Sequence, residues 1–444
     1  MSLFRAYDIR GVFGEDLTED IAEKIGRAFA TYIGGGRIAV GRDVRLSSPE
    51  LRNALVGGIM SSGCDVLDIG VVPTPTLYYA SHKFKTEGAI MITGSHNPPC
   101  YNGFKMCRGT ATLSGPEIQE IKKIVDSEGF NSGSGRLETV GIIPDYLAEI
   151  KKRAFIKKPL KIVIDAGNGT AGEIAPGLFQ ELGCRVTKLY CEPDGNFPNH
   201  PADPTVDAYL GDLVKKVKKT KADIGMAYDG DSDRLGVVDE KGGIIRGDQL
   251  LALFSREILK KGPAKIIFEV KCSHGLIEDI KAHGGTPIMY RTGHSFIKKK
   301  MKEEGAVLAG EMSGHFFFAD NWFGFDDGIF ASVRLAEILS SSSMTLSEIA
   351  ATIPKYYSTP EIRVHVDDKE KFKIVDEVAG YFKKRYETIT VDGVRIQFAD
   401  GWGLVRASNT EPALILRFEA KTKKRLKEIK KIVADKLAEF RLNF

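Results

Sequence analysis

Three stretches of the chain carry the same succession of apolar and polar text. Residues 37–70 read RIAVGRD, then SPELRNALVGGIMSSG, then CDVLDIG. Residues 161–190 read KIVIDAG, AGEIAPGLFQELG and CRVTKLY, and residues 265–290 read KIIFEVK, SHGLIEDIKAHG and GTPIMY. A short apolar run bounded by turn residues reads as a buried strand, and the longer segment between two such runs reads as a helix. Strand, helix and strand in that order make a βαβ unit. Each unit is followed by one more apolar run that stops at a polar loop: GAIMI at TGSHNP, ADIGMAY at DGDSDR, and GAVLAG at EMSGH. The pattern predicts three similar α/β domains, each presenting a loop from the end of a strand. Past residue 354 the text changes. EIRVHV, TITVDGVRIQFAD and WGLVRASNTEPALILRFEA read as antiparallel strands, and a basic amphipathic helix is expected over 423–440. That is a smaller α+β domain of another plan.

Breaks are expected at three places. GFNSGSGRLETVG (129–141) is a Gly/Ser-rich stretch before a helical PDYLAEIKKRAF. DEKGGIIRGD (239–248) reads as a hairpin before the helix QLLALFSREIL, and Pro354 ends the third unit. The expected domains are therefore 1–140, 141–243, 244–354 and 355–444, arranged as three mixed-sheet α/β domains and one α+β domain.

Composition narrows the function classes. The 444 residues include 43% hydrophobic positions, enough for real cores. With 63 basic and 59 acidic residues the net charge is +4, so the total does not argue for nucleic acid. The runs KKVKKTK, KKKMK and KTKKRLKEIKK read as solvated helix faces. Six Cys without metal-ligand spacing suggest reduced, intracellular thiols. MSLFRAYDIRG has charges too early for a signal peptide, and no apolar run approaches the ~20 residues of a membrane span. The expectation is a cytoplasmic protein with small-molecule partners and neither nucleic acid nor membrane among them.

The loops carry the chemistry. GAIMI delivers Ser95 and His96 onto a Gly-opened loop, the way α/β folds place a nucleophile at a crevice. Asp229, Asp231 and Asp233 repel one another unless a cation sits among them, and an all-oxygen set favours Mg²⁺ over zinc. An EF-hand reading fails, because Arg234 stands where that loop needs Gly and the flanks read as strands. Glu311 and Ser313, on a Gly-bracketed turn, suit recognition of hydroxyls. Arg406, Ser408, Asn409 and Thr410 lie between two strand-like runs, with Arg417 on the second, and make an anion cradle. One motif points elsewhere. Gly167-Asn168-Gly169-Thr170-Ala171-Gly172 is a G-x-G-x-x-G after a strand, with Glu192 about 20 residues on, which matches a dinucleotide fingerprint. The other two units lack those glycines, and a tight turn inside a repeated unit accounts for it with less.

A hydroxyl nucleophile, a hard-metal triad, a hydroxyl reader and an anion cradle together describe phosphoryl transfer on a phosphorylated polyol. TGSHNP, DGDSDR, GEMSGH and RASNTEP, in that order, resemble the α-D-phosphohexomutase family, and YDIRG (7–11), YNGFK (101–105) and RTGHS (291–295) fit too. GEMSGH resembles the phosphomannomutase/phosphoglucomutase branch, with phosphoglucosamine as the rival substrate. The resemblance implies four domains around one cleft and interconversion of hexose 1- and 6-phosphates through a hexose 1,6-bisphosphate. It implies that Ser95 is carried as phosphoserine and joins Asp229, Asp231 and Asp233 around Mg²⁺, with Arg234 offsetting charge. It further implies Lys105 as a general acid/base with a lowered pKa, His96 at the phosphate and His294 as a second acid/base or substrate contact. Glu311 and Ser313 would read sugar hydroxyls, and Tyr7, Arg10 and Lys271 would line the cleft. Arg406, Ser408, Asn409, Thr410 and Arg417 would hold the non-reacting phosphate. Two other classes remain: an oxidoreductase using the GNGTAG turn, and a noncatalytic sugar-phosphate sensor, against which an intact Ser95 and Asp triad argue.

Overall fold

The structure is a computed structural model that describes residues 3–4, 8–408, 412–442 and 444. Among the described residues the strands form four sheets. The first three share one core. In the first, Asp65–Val71, Arg37–Arg42 and Gly88–Ile92 run parallel in that spatial order, and Tyr101–Arg108 closes the group antiparallel. In the second, the same places are taken by Arg185–Leu189, Lys161–Asp165, Ile224–Tyr228 and Leu235–Asp239. In the third they are taken by Thr286–Tyr290, Lys265–Glu269, Leu308–Gly310 and Phe316–Phe318. Each predicted βαβ unit is present, and each polar loop sits at the same point: the turn from the last parallel strand to its antiparallel neighbour. The central strands Gly88–Ile92 and Ile224–Tyr228 are buried at every position, which is why they read as unbroken apolar runs.

The fourth sheet is wholly antiparallel, in the order Tyr357–Ser358, Ala413–Ala420, Gly401–Ala407, Val394–Phe398 and Thr388–Ile389, with Ile362–His365 also paired to Ala413–Ala420. The closing helix spans Lys423–Ala438. A second helix, Lys371–Lys383, packs on this sheet and was not anticipated. Its buried apolar positions Ile374, Val375, Val378 and Phe382 recur at helical spacing, so the signal is present in KFKIVDEVAGYFK. The Gly/Ser-rich stretch also holds more order than a linker: Leu137–Thr139 adds an edge strand to the first sheet beside Asp65–Val71.

The first three units share one continuous apolar core, running from Ala39 and Leu67 through Ile164 and Met226 to Phe254 and Ile353. The fourth has a separate core around Val378, Leu416 and Val433. It meets the third unit through a small apolar contact of Val270, Trp402 and Leu404 and through buried polar groups. Arg395 donates to the carbonyls of Val270 and Cys272 at 2.7 and 2.9 Å. Glu419 accepts from Trp402 Nε1 and from the His274 amide, both at 2.8 Å.

The GNGTAG turn has a structural task. A Cβ on Gly169 would lie 2.7 Å from the Gly230 carbonyl oxygen, and the Thr170 amide donates to that oxygen at 3.1 Å. The turn is packed backbone to backbone against the Asp loop, where a dinucleotide pyrophosphate would need open space, so the small-residue requirement comes from packing. Gly169→Ala is therefore expected to cost about 1–3 kcal/mol of stability in urea unfolding. Gly177→Ala, inside the helix Ala175–Glu181 with nothing within 4 Å of the added carbon, is expected to add about 0.5–1 kcal/mol.

Candidate active site

The Asp loop is where the units converge. Three successive carbonyls of it accept hydrogen bonds from the starts of helical segments in three different units. The Gly230 carbonyl takes the Thr170 amide at 3.1 Å, the Asp231 carbonyl takes Thr74 at 2.9 Å, and the Ser232 carbonyl takes Gly328 at 3.2 Å. The donors belong to Thr170–Glu173, Thr74–Phe84 and Gly328–Ser341. Helix starts have spare amides, so they suit this use. The Ser95 loop reaches the same place, since a Cβ on Gly230 would lie 2.6 Å from the Ser95 carbonyl oxygen. The GEMSGH loop is joined by a bridge between Arg234 and His315 and by the Leu235 amide on the Gly314 carbonyl at 2.9 Å.

Asp229, Asp231 and Asp233 are fully buried, and each offers a carboxylate oxygen within 4.8 Å of the others. Ser95 Oγ donates to Asp229 Oδ2 at 2.8 Å and lies 3.2 Å from His96 Nδ1. Lys105 Nζ donates to Asp231 Oδ2 at 2.6 Å and to Asp233 Oδ2 at 2.5 Å. The Thr74 hydroxyl also donates to Asp231 Oδ2, at 2.6 Å. Asp231 Oδ1 and Asp233 Oδ1 are buried without a hydrogen-bond partner. An orphaned buried carboxylate oxygen is costly, and two of them beside an all-oxygen donor set fit a hard divalent cation.

Charge governs the protonation states here. Burial and the repulsion of Asp233 and Asp231 push the Asp229 carboxyl well above the usual carboxylate range. Burial acts the same way on Asp231, but the Lys105 ammonium outweighs it and holds Asp231 below that range. Lys105 corrects the expectation of a lowered pKa. Burial alone would lower it, yet Asp231, Asp233 and Asp229 outweigh burial and raise it. Lys105 is a bound cation whose proton is held by carboxylates. Arg234 is raised in the same way, with Asp203 and Asp229 overriding burial. His96 is pushed well below the ordinary histidine range by desolvation and then by Arg234 and Arg10.

The other described candidates make contacts of their own. Arg10 donates to Asn97 Oδ1 at 2.8 Å and to Asp8 at 2.6 Å, which puts it beside the Ser95 loop. Glu311 is buried, which raises its carboxyl, and its Oε1 accepts the Gly293 amide at 2.7 Å. Ser313 is half-buried on the same turn. His294 opens the helix His294–Glu304, 3.6 Å from Asp326 Oδ2, and burial followed by Lys298 pushes it well below the ordinary histidine range. Lys271 pairs with Glu361 at 3.2 Å. Arg406 donates to Asp392 Oδ2 at 2.9 Å, and Asp392 also accepts the Thr292 amide at 3.0 Å, so the fourth unit's arginine is tied to the turn that carries His294. Ser408 is buried beside it in sequence. Arg417 donates to the Lys271 carbonyl at 2.6 Å, a contact between units. Tyr7, Asn409 and Thr410 lie outside the described residues.

The structure adds residues that the sequence reading passed over. Arg234 Nε donates to His315 Nε2 at 3.1 Å, while His315 Nδ1 lies 3.2 Å from Asp326 Oδ2 without a hydrogen bond between them. Lys298 pairs with Asp326 at 2.8 Å. Asp233, His315 and Asp326 could also group around an ion, and the Nε2 contact lets His315 orient Arg234. The signal available was the pair Asp326-Asp327 in the aromatic text NWFGFDDG, since buried acids there need partners. Among the described residues, no helix is long and apolar enough to cross a membrane.

Comparison with known proteins agrees with this geometry over the whole chain. Residues 1–132, 144–243 and 246–357 match the models for phosphoglucomutase/phosphomannomutase alpha/beta/alpha domains I, II and III, and residues 361–436 match that for the C-terminal domain. The phosphomannomutase/phosphoglucomutase of Pseudomonas aeruginosa is 49% identical over 441 residues, covering 98% of this chain and 95% of the relative. A phosphoglucomutase of Neisseria meningitidis is 48% identical over 436 residues, covering 96% and 95%. The crystal structure of a phosphoglucomutase/phosphomannomutase family protein from Burkholderia thailandensis superposes with a TM-score of 0.95 at 43% identity, covering 100% of this chain and 99% of that one. The shared three-unit core, the four ordered loops and these full-length matches make this chain a member of the phosphoglucomutase/phosphomannomutase family.

Proposed function

We propose that this enzyme interconverts hexose 1-phosphate and hexose 6-phosphate, with glucose and mannose as the sugars, and that Ser95 carries the phosphoryl group. The observation that carries the reading is Ser95 Oγ held 2.8 Å from Asp229, beside two orphaned carboxylate oxygens and the cations Lys105 and Arg234. The names of the relatives support glucose and mannose over the phosphoglucosamine alternative. The cytoplasm is the expected place of work.

The chemistry follows from the contacts. Phosphoserine gives its phosphoryl to a free sugar hydroxyl: the Oγ–P bond breaks as the new O–P bond forms, and the hydroxyl proton leaves for a base while Oγ regains one. A 1,6-bisphosphate results. After it turns over in the cleft, its other phosphate returns to Ser95 by the same exchange in reverse. Asp229, Asp231 and Asp233, with Ser95 or its phosphate, would hold Mg²⁺. Bound there, Mg²⁺ supplies positive charge against the oxygens of the moving group. Lys105 and Arg234 add fixed charge to that effect, and Arg234 is held in place by His315. Lys105 holds its proton tightly against the carboxylates, so it serves as a charge rather than as a ready proton donor. His294, neutral and buried beside Asp326, is the proposed second acid/base or substrate contact. Glu311 and Ser313 read sugar hydroxyls in either orientation. Arg406 and Ser408, with Asn409, Thr410, Tyr7, Arg10, Lys271 and Arg417, form the proposed phosphate and cleft contacts. Phosphate at Arg406 would compete with Asp392 for the guanidinium, and the separate core of the fourth unit lets it move as that exchange occurs. The four domains are proposed to divide at 140, 243 and 354.

Intact and peptide mass spectrometry after incubation with a hexose 1,6-bisphosphate should show one phosphoryl on the Ser95 peptide, removable by hexose monophosphate. Ser95→Ala should abolish net turnover. A parent protein that never acquires phosphoryl at Ser95 would sink the carrier role. A second test concerns the metal. Mg²⁺ at 100 times its Kd should stabilise the parent by about 2.7 kcal/mol. Asp229→Asn replaces a carboxyl whose anion burial and the two neighbouring acids already disfavour, so its metal-free melting temperature should hold or rise while the Mg²⁺-induced increase shrinks. An unchanged Mg²⁺ response in that variant would count against the triad as the metal site.

A further inference from the structure

Ser95 is held in a backbone conformation that serine disfavours. Its φ is +49°, in the left-handed region. Such a conformation costs about 1–3 kcal/mol and persists where the surroundings over-determine it. Local restraint is slight: the Ser95 amide donates to Thr93 Oγ1 at 2.8 Å, and the Asn97 amide to the Gly94 carbonyl at 3.0 Å. The strongest restraint comes from far upstream in the chain.

Arg45 is 1% exposed. Its Nη2 donates to the carbonyls of Ser95 at 2.7 Å and Asn97 at 2.6 Å. Its Nη1 donates to those of Pro98 at 2.6 Å and Tyr101 at 2.9 Å. Its Nε donates to Asp43 Oδ2 at 3.1 Å, and that same oxygen accepts the Gly94 amide at 3.1 Å. All the N–H groups of the guanidinium are therefore spent on the Ser95 loop or on the aspartate that grips it. Asp43 is set in turn by the Ser48 hydroxyl at 2.7 Å. The guanidinium lies 5.0 Å from the Phe197 ring, which belongs to the second unit. Gly94 leaves the room required: a Cβ there would sit 2.4 Å from Arg45 Nε.

We propose that Arg45 is a positioning residue for phosphoryl transfer, its guanidinium fixing four carbonyls of the Ser95 loop so that Oγ faces the Asp triad whether or not it carries phosphate. The proposal rests on the reading of Ser95 as the carrier. Arg45 does not reach the reacting oxygen, because its donors end on backbone carbonyls and on Asp43. It acts through Ser95. Its charge also lies beneath a loop that gains about two negative charges on phosphorylation. In the loading reaction the Ser95 Oγ–P bond forms as the bond from phosphorus to a sugar oxygen breaks, and the serine proton ends on that sugar oxygen. Lysine at position 45 would keep the charge but lack the planar fork needed to reach four carbonyls at once.

The test uses Arg45→Lys and, as a milder change that keeps side-chain shape, Asp43→Asn. The readouts are the rate of Ser95 phosphorylation from hexose 1,6-bisphosphate with Mg²⁺, kcat and KM for hexose phosphate, and the melting temperature. Arg45→Lys is expected to slow Ser95 loading and to lower kcat together, by roughly 10- to 100-fold, with KM within about twofold of the parent. Asp43→Asn should move the same two quantities in the same direction by a smaller factor, and it decides the matter if Arg45→Lys does not fold. Parent-like loading in a folded Arg45→Lys, or in Asp43→Asn if that alone folds, overturns the role of Arg45 while the carrier role of Ser95 stands. A kcat loss that disappears when the assay is run well below a lowered melting temperature overturns it too. A parent protein that takes up no phosphoryl at Ser95 overturns the carrier reading and this proposal with it.

Discussion

The architecture depends on how the Asp loop is held by its own backbone. Its consecutive carbonyls at 230, 231 and 232 accept amides at 170, 74 and 328, each from the start of a helical segment in a different unit. Backbone carbonyls must be satisfied when buried, and here that requirement draws three sheets to one point. The acids are kept in place by a scaffold independent of any contact their side chains make. The shared apolar core beneath then makes the first three units one body, while the fourth keeps its own core and adheres mainly through Arg395, Trp402 and Glu419.

The repeated plan explains why the reactive groups meet. In each of the first three sheets the functional loop follows the last parallel strand and precedes an antiparallel partner. Ser95, the acidic triad and the Glu311 turn, the proposed nucleophile, metal site and hydroxyl reader, thus occupy equivalent places in three copies of one unit. Turning those three ends toward one centre needs no special device beyond the close backbone approaches at Gly169, Gly230 and Gly314, where a side chain would strike a carbonyl.

Much of this was legible in the chain. The continuous apolar strands mark themselves, and Ser95, the Asp triad and Glu311 lie in short local motifs whose chemistry can be read without a fold. What stayed hidden depends on distance. Arg45 and Thr74 look ordinary in sequence and acquire meaning only by touching residues far along the chain. His315 was in view within GEMSGH, but its task comes from Arg234 on one side and Asp326 on the other. The protonation of Lys105 was misjudged because the sequence suggests a desolvated lysine next to cations, while the fold places it against three carboxylates. GNGTAG shows the converse: a local pattern with a familiar meaning was claimed by tertiary packing. The helix Lys371–Lys383 was legible too, since Ile374, Val375, Val378 and Phe382 recur at helical spacing, but it lies among strand-like runs that dominate the text of this domain.

The ion pairs of Lys105 have a consequence for how the enzyme meets its environment. The lysine belongs to the first sheet and the acids to the second, so the chain brings its own counter-ion to the proposed metal site. Folding therefore need not wait for a divalent ion, unlike the small domains that are unfolded without one. Scarcity of the ion would then throttle catalysis while leaving the amount of folded enzyme nearly constant, and resupply would restore the rate without new synthesis.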